Sequence, residues 1–402
     1  MDADVVIAGG GLAGACTALA LARRGLSAVL VDKAEFPRDK PCGEGLLPHG
    51  LALLRELGCG DVVEACGARP FRGILYRCHG VTAIGDFANG ASGRGVRRRL
   101  LDHALRVRAE AAGARLLVGT VVGVALTNDG ASLSLADGGI LRARFVVGAD
   151  GPRSTLRHAL GLDGGPPSRP RYALRRHFTV QPGLASLERV EVHVASGYEL
   201  YVTPVGEGVV GVAALCERSA LQKTSEDATS VEDRLAALIA RCAPVAERLA
   251  GATPEGKALA CGPLRVRARN VGRQRAFLVG DAAGYVDAIT GEGMSLAVKS
   301  ATLCASAIAD AHEGLVTPQA ALARYRSQRA AAFRDHALLT FGLVELARHP
   351  FLARRAIARL AREPALFSRL LEVNNGTATI NSLGALGLLK LAIGARPPRL
   401  LV

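Results

Sequence analysis

Residues 4–32 read DVVIAGGGLAGACTALALARRGLSAVLVD, and this stretch decides the fold. A short apolar run leads into Gly9, Gly11 and Gly14, which have the spacing G-x-G-x-x-G, and a helical pattern follows. Gly9 permits a tight turn, Gly11 leaves room for a pyrophosphate, and Gly14 lets the helix pack closely on the strand. A second apolar run ends in Asp32, which is placed to accept a hydrogen bond from a ribose hydroxyl. The stretch therefore predicts a strand-helix-strand unit that binds a dinucleotide at the helix N-terminus.

Two segments far along the chain bear on which dinucleotide is bound, because the glycine motif alone does not separate FAD from NAD. In FVVGADGPRSTLRHALGL, residues 145–162, an apolar run is followed by Asp150 and Gly151. In AFLVGDAAGYVDAITGEGMSLAVKSA, residues 276–301, another apolar run leads to Asp281, and two glycines then precede a helical pattern. Both segments predict further parallel strands that end at the nucleotide.

With three such segments in order, the chain resembles the superfamily of FAD-dependent monooxygenases and geranylgeranyl reductases, flavoproteins with a p-hydroxybenzoate-hydroxylase-like fold. The resemblance covers roughly the first three quarters of the chain. It implies an α/β fold, in which a Rossmann-like FAD-binding domain of the glutathione-reductase type is interwoven with an antiparallel-sheet substrate domain and followed by a C-terminal helical region. It also implies FAD as cofactor and NAD(P)H as reductant.

The same resemblance assigns roles to individual residues. The aspartate Asp281 would bind the ribityl chain of FAD, and Arg98 would contact the cofactor, although Arg98 could also be a solvated residue of a basic run. The full set of expected cofactor-binding residues is Gly9, Gly11, Leu12, Ala13, Gly14, Asp32, Lys33, Arg38, Cys42, Gly43, Arg98, Asp150, Gly151, Gly280, Asp281, Gly291, Gly293 and Met294.

The loop FPRDKPCGEGLLP, residues 36–48, resembles the FPR-x-K-PCG-x-GL loop of geranylgeranyl reductases. The cysteine of that loop lies near the isoalloxazine ring, so Cys42 is a candidate catalytic residue, with a buried packing residue as the alternative. Two acids, Glu44 and Glu292, are candidate proton donors close to the flavin. Each could equally cap the start of a helix.

The segment GYELYVTP, residues 197–204, resembles the strand motif Y-x-W-x-F-P of the reductases, without its tryptophan. Tyr201 is therefore a candidate on the substrate side, and ordinary strand packing is the alternative. A second glycine triplet, Gly206, Gly208 and Gly211, lies between two alternating runs and predicts a hairpin turn rather than a nucleotide site. The chain contains no tryptophan, so the W-x-W-x-I-P signature of halogenases is absent.

Composition and charge argue against a membrane-spanning, a metal-binding and a nucleic-acid-binding protein. The 402 residues carry a net charge of +14, and no apolar run approaches the ~20 residues of a membrane span. Nine cysteines without CxxC pairing indicate a reducing cytoplasm and no metal site. Few aromatic residues and no recognised module argue against nucleic acid as a partner. Residues 347–363 alternate arginines with apolar residues, which predicts either peripheral docking on the inner face of an anionic membrane or a helix with a solvated arginine face.

The order of motifs predicts interwoven domains. We expect a discontinuous FAD-binding domain made of residues 1–70, 95–160 and 265–315. A substrate sheet domain would comprise residues 71–94 and 161–264. Residues 316–402 would form a C-terminal helical region.

Three reactions are compatible with these motifs. Analogy with the superfamily as a whole favours a monooxygenase, which would act through a flavin C4a-hydroperoxide. Such an enzyme would hydroxylate or epoxidise a lipophilic phenolic, polyketide or prenylated substrate. The motifs CGEGL and TGEG, with Gly284 where many hydroxylases have histidine, favour instead a reductase of prenyl double bonds. A flavin-dependent halogenase is a minor alternative. A non-enzymatic flavin-binding protein would hold FAD that NAD(P)H does not reduce.

Overall fold

The computed structural model describes residues 1–181, 183, 187–222, 229–384 and 387. Two large sheets, a small third sheet and a set of helices make up this part of the chain. The strands are β1 (Ala3–Ala8), β2 (Ala28–Asp32), β3 (Gly45–Leu46), β4 (Arg69–Phe71), β5 (Gly73–Cys78), β6 (Val81–Asp86), β7 (Gly93–Gly95), β8 (Arg115–Val118), β9 (Val121–Leu126), β10 (Ala131–Leu135), β11 (Ile140–Gly148), β12 (Arg171–Thr179), β13 (Val190–Ala195), β14 (Tyr198–Gly206), β15 (Val209–Glu217), β16 (Thr253–Cys261), β17 (Gly272–Arg273) and β18 (Ala276–Leu278). The helices are α1 (Leu12–Ala22), α2 (Pro48–Glu56), α3 (Gly60–Ala65), α4 (Arg98–Ala111), α5 (Thr155–Ala159), α6 (Arg218–Gln222), α7 (Val231–Ala240), α8 (Ala243–Arg248), α9 (Gly293–His312), α10 (Pro318–Ala347), α11 (Pro350–Arg362) and α12 (Pro364–Asn374).

The first sheet has the strand order β17-β18-β11-β1-β2-β8, with β10 and β9 added beside β11. Strand β1 pairs in parallel with both β2 and β11, and β11 pairs in parallel with β18. Its central strands are apolar and buried, as expected where helices cover both faces of a parallel sheet. The carboxyl ends of β1, β11 and β18 lead into the three glycine-containing segments, so the predicted Rossmann-like domain is confirmed.

The second sheet has the order β16-β12-β15-β14-β13-β5-β6. Its neighbours are antiparallel except for β13 and β5, which run parallel. The hairpin of β5 and β6 comes from an earlier part of the chain than strands β12 to β16 and joins their edge at β13. Because β5 and β13 are not consecutive strands, no tight turn links them and they can run parallel. The second glycine triplet lies in the β14-β15 hairpin, so the predicted turn is confirmed.

A small sheet of β3, β7 and β4 lies between the two large ones. Its strand β7 approaches the second sheet so closely that a Cβ on Gly95 would lie 1.7 Å from the carbonyl oxygen of Pro204. Residues 93–94, which we expected in the substrate sheet, pair here instead. This sheet brings the loop after β2 next to the substrate sheet.

The C-terminal helices cover the second sheet. Thr317 caps α10 by accepting a hydrogen bond from the backbone N–H of Ala320 at 3.2 Å, and Pro318 begins the helix. Helices α11 and α12 pack on β6, where the ring of Phe367 lies 2.7 Å from the position of a Cβ on Gly85. The predicted helical region is confirmed as far as the description extends, and residues 385–386 and 388–402 lie outside it.

Candidate functional site

A cavity of about 1010 Å³ lies between the two large sheets. Part of its wall is formed by the glycine-containing loops of the first sheet. The opposite part is formed by apolar and aromatic side chains of the second sheet and the C-terminal helices, among them Ile74, Tyr76, Val192, Ala213, Leu215, Leu339, Leu343, Phe367, Leu370 and Leu371. The cavity thus has one portion lined by glycine-containing loops, as in a nucleotide site, and one lipophilic portion.

The glycine motif has the geometry of a pyrophosphate cradle. Gly9 has a φ of +104°, which only glycine adopts readily, and a Cβ on Gly14 would lie 1.9 Å from the carbonyl oxygen of Gly9. By contrast, a Cβ on Gly11 would project toward the cavity, with Nη2 of Arg38 as its nearest neighbour at 3.2 Å. Gly14 is therefore required for packing, whereas Gly11 keeps the phosphate position open.

Asp32 is held at the end of β2 by two backbone groups. Its Oδ2 accepts from the N–H of Gly10 at 2.7 Å and its Oδ1 from the N–H of Ala34 at 2.9 Å. A carboxylate oxygen has a second lone pair, so Asp32 can still accept from a ribose hydroxyl. The carboxylate, Lys33 and Arg38 all lie on the cavity wall.

Two further aspartates line the cavity with unused hydrogen-bonding capacity. Asp150 accepts from the N–H of Leu156 through Oδ2, but its buried Oδ1 has no hydrogen-bond partner in the described part of the chain. Burial raises the pKa of Asp150 above its ordinary value. Asp281 lies 3.5 Å from Nζ of Lys40. Buried acceptors without partners are rare, so Oδ1 of Asp150 fits a hydroxyl group of a bound FAD. Asp281 is partly exposed on the same wall, where its carboxylate can accept from a second hydroxyl group.

The N-terminus of α9 reaches the cavity through the backbone. Gly291, Gly293 and Met294 are on the wall, whereas Glu292 is 2% exposed and lies behind it. Its Oε1 has no hydrogen-bond partner among the described residues. Burial raises the pKa of Glu292 to about 8, against the opposing effect of the Ser295 hydroxyl, so this carboxyl holds its proton at neutral pH. A helix N-terminus of this kind stabilises negative charge on a ligand.

The loop before β3 places Cys42 and Gly43 on the cavity wall. The Cys42 Sγ accepts from the backbone N–H of Glu44 at 3.3 Å and lies against the guanidinium of Arg98. Arg98 also donates to both oxygens of Asp102, at 2.8 and 2.9 Å. Arg98 therefore lies at the cofactor end of the cavity, paired with a carboxylate of its own helix.

Glu44 has a 1% exposed side chain, and its carboxylate is fully engaged. Oε1 accepts from the N–H of Arg98 at 2.9 Å, and Oε2 lies 2.6 Å from Nε2 of His177. The carboxylate thus joins the N-terminus of α4 to β12.

Tyr201 lies on the cavity wall together with Thr203. Its hydroxyl donates to the carbonyl oxygen of Ile289 at 3.1 Å, in the loop that precedes α9. Burial raises the pKa of Tyr201 well above its ordinary value, so the phenol stays protonated. The side chain both forms the wall and joins β14 to the flavin-side loop.

Sequence reasoning missed a buried ionic triad behind this wall. The guanidinium of Arg171 binds Glu199 and also Asp287, the latter at 3.0 Å. Burial raises the pKa of Glu199 to about 7, because one guanidinium does not offset the loss of water around two carboxylates. It also missed Arg175 and His177 of β12. The available signal was a strand, RYALRRHFT, in which Arg171, Arg175 and His177 are separated by even numbers of positions and so share one face.

The remaining expectations concern membrane association, the cysteines and metal binding. No helix in the described residues is long and apolar enough to span a membrane. The nine cysteines are free thiols, and the described residues hold no cluster of three His, Cys, Asp or Glu side chains suited to a metal. Helix α11 exposes Phe351 and Leu352 at its start. Peripheral membrane association stays a prediction.

Comparisons with known proteins agree with this geometry. The profile of the FAD binding domain family matches residues 2–337. Menaquinone reductase of Mycobacterium tuberculosis is 32% identical over 358 residues, which cover 85% of each chain. Rifampicin monooxygenase of Streptomyces venezuelae is 27% identical and covers 89% of this chain and 75% of its own. The solved structure of the flavin-dependent brominase Bmp2 superimposes with a TM-score of 0.80 at 19% identity, covering 97% of both chains, and so shows a shared fold. The chain belongs to the FAD binding domain family and is an FAD-dependent oxidoreductase.

Proposed function

We propose that the protein is a reductase of a polyprenyl lipid, with the prenyl chain of a quinone such as menaquinone as its substrate. The observation that carries this proposal is the lipophilic part of the cavity, whose wall of aliphatic and aromatic side chains continues from the flavin positions to α10 and α12. A chain of isoprene units has no polar groups and fits a wall of this kind. The breadth of the superfamily favoured oxygenation, whereas the motifs CGEGL and TGEG favoured reduction. The higher identity to a menaquinone reductase, 32% against 27% for a monooxygenase, moves the balance toward reduction.

Bound FAD would supply the hydride, and the protein must then deliver a proton to the second carbon of the double bond. Glu44 is committed to two hydrogen bonds, and Glu292 lies behind the wall. The Cys42 thiol lies on the cavity wall, so it is the candidate proton donor. Tyr201 would orient the prenyl chain, since its hydroxyl is already bound to a backbone carbonyl.

Three arginines support NAD(P)H as the reductant. Arg153, Arg265 and Arg267 lie on the cavity wall, and no ion pair joins them to a carboxylate of the described residues. Arg153 donates to the carbonyl oxygen of Gly262 at 3.3 Å, and Arg265 lies over the ring of Phe341. Guanidinium groups without a carboxylate partner are suited to the phosphates of a nicotinamide dinucleotide.

The test uses the FAD-loaded protein, NADPH and menaquinone, with and without oxygen, followed by mass spectrometry of the quinone. Because reduction of the quinone ring to the quinol also adds two hydrogens, the product is re-oxidised to the quinone before mass spectrometry. A gain of two hydrogens that remains in the prenyl chain, formed in the absence of oxygen, is expected. A gain of one oxygen atom, only in air, would instead identify a monooxygenase, which the second relative favours, and would overturn the proposal. A halogenated product, formed only with added halide, would overturn it as well.

Replacing Cys42 by serine tests the proton donor. We expect C42S to retain FAD and to lose about a hundredfold or more in turnover, within the usual range for general acid catalysis. The matched control is Cys66→Ser, because Cys66 is also half-buried but is not on the cavity wall. Equal turnover of C42S and C66S would remove Cys42 from the reaction.

A further inference from the structure

One face of β12 is directed at the loops on the flavin side of the cavity. Arg171, Ala173, Arg175 and His177 alternate along the strand, so their side chains point to the same face of the sheet. All four are buried, with Arg175 only 2% exposed. Ala173 lies on the cavity wall, and each of the other three binds a segment outside the sheet. Arg171 binds Glu199 of β14 as well.

Two of these side chains hold the loop of Cys42 at both of its ends. Arg175 donates through Nη2 to the carboxylate of Asp39 and, at 3.0 Å, to the carbonyl oxygen of Lys40. His177 binds Glu44 at 2.6 Å. The part of the loop between these contacts contains Cys42, which lies on the cavity wall.

The direction of each hydrogen bond in this chain follows from Arg175. A guanidinium has only donors, and its Nη1 lies 3.0 Å from Nδ1 of His177, so Nδ1 must accept. The imidazole is then neutral with its hydrogen on Nε2, and this hydrogen is donated to Oε2 of Glu44. The other oxygen of Glu44 accepts from the N–H of Arg98. Both oxygens of Glu44 therefore face donors.

The backbone of Glu44 has a φ of +61°, in the left-handed region that is unfavourable for a residue with a side chain. This conformation directs the N–H of Glu44 to Sγ of Cys42 at 3.3 Å. Buried contacts on the side chain are what hold such a conformation in place. A strained residue at the cofactor loop thus depends on a strand more than 130 residues away in the chain.

We propose that His177 is a positioning residue for the flavin, which acts through Glu44 to hold the Cys42 turn against the cofactor. Arg175 fixes the tautomer of His177, and Glu44 transmits the position of β12 to the loop. The proposal requires bound FAD, but it does not depend on which reaction the enzyme performs.

The sharpest test is the isosteric substitution Glu44→Gln. Either orientation of the new amide sets its NH₂ group against a donor, the N–H of Arg98 or the Nε2–H of His177. His177 cannot relieve the conflict by changing tautomer, because Arg175 still occupies Nδ1. We expect amide hydrogen exchange of residues 38–46 in the FAD-loaded variant to be about tenfold faster, and the visible absorption bands of the flavin to shift.

The matched control is Glu191→Gln in β13. Glu191 is also buried in the second sheet and bound to a histidine and an arginine, with Oε2 at 3.2 Å from Nε2 of His193. This residue does not lie on the cavity wall. E191Q should leave both the exchange of residues 38–46 and the flavin spectrum as in the wild type.

Two substitutions of His177 complete the test and cover the case in which E44Q does not retain FAD. His177→Gln keeps a donor near Glu44 and should preserve slow exchange of the loop, whereas His177→Leu should give fast exchange and the spectral shift. Wild-type exchange and spectrum in both E44Q and H177L would overturn the proposal. The same changes in E191Q would overturn it too, since they would indicate a general weakening of the sheet.

Discussion

At the scale of the residue, Gly14 is a position of the nucleotide cradle that has no room for a side chain. A Cβ there would lie 1.9 Å from the carbonyl oxygen of Gly9, and backbone atoms at this turn have no room to move. We expect Gly14→Ala to lower the free energy of unfolding by about 1–3 kcal/mol or more and to abolish FAD binding. Urea unfolding and the flavin absorbance of the purified protein measure both effects. Gly123→Ala is the control, because its nearest contact would be an ordinary 3.7 Å, and FAD retained at wild-type level in G14A would contradict the expectation.

At the scale of the element, strands β12 and β14 share a buried triad that makes stability depend on pH. The pKa of Glu199 is raised by burial to about 7 in the folded protein, from about 4.3 in an unfolded chain. The folded state then binds the extra proton, so this contribution to stability is complete below the unfolded pKa and is lost as pH rises through about 7. Glu199→Gln removes it. We expect the fall in melting temperature between about pH 6 and about pH 8 to be smaller in E199Q than in the wild type.

The control for Glu199→Gln is Glu191→Gln, which is also the control for Glu44→Gln. Burial acts to raise the pKa of Glu191, but its hydrogen bond to His193 and the charge of Arg248 outweigh burial and hold the pKa below its ordinary value. Its contribution is therefore lost only at acid pH, and E191Q should keep the wild-type slope at neutral pH. Glu292, with its pKa of about 8, gives E199Q a residual slope of the same sign. Identical slopes in E199Q and the wild type would remove Glu199 as the titrating group.

At the scale of the whole molecule, the cavity between the two sheets makes FAD a stabilising ligand for both. A ligand that binds only the folded state at one hundred times its dissociation constant adds about 2.7 kcal/mol to the free energy of unfolding. We expect the urea midpoint of the apoprotein to rise with FAD concentration as one cooperative transition, followed by circular dichroism. Two transitions, of which only one responds to FAD, would show that the sheets unfold separately.

The nucleotide cradle, the start of α10 at Thr317 and the β14-β15 hairpin could all be predicted from the sequence. Each depends on residues close together in the chain: a glycine that a turn requires, a cap next to a proline, or two alternating runs around glycines. The cofactor followed, because three such local motifs occur in one order.

Only the tertiary structure decided what the acids do. The sequence predicted both Glu44 and Glu292 to be acids near the flavin. In the structure Glu44 is bound by a histidine 133 positions away, whereas Glu292 is buried with its Oε1 unpartnered among the described residues. The same holds for Arg171, which meets Glu199 and Asp287 only because β12 lies near both β14 and the loop before α9. Burial and long-range pairing determine the charge and the partner of a side chain, and neither is encoded in the spacing of its neighbours.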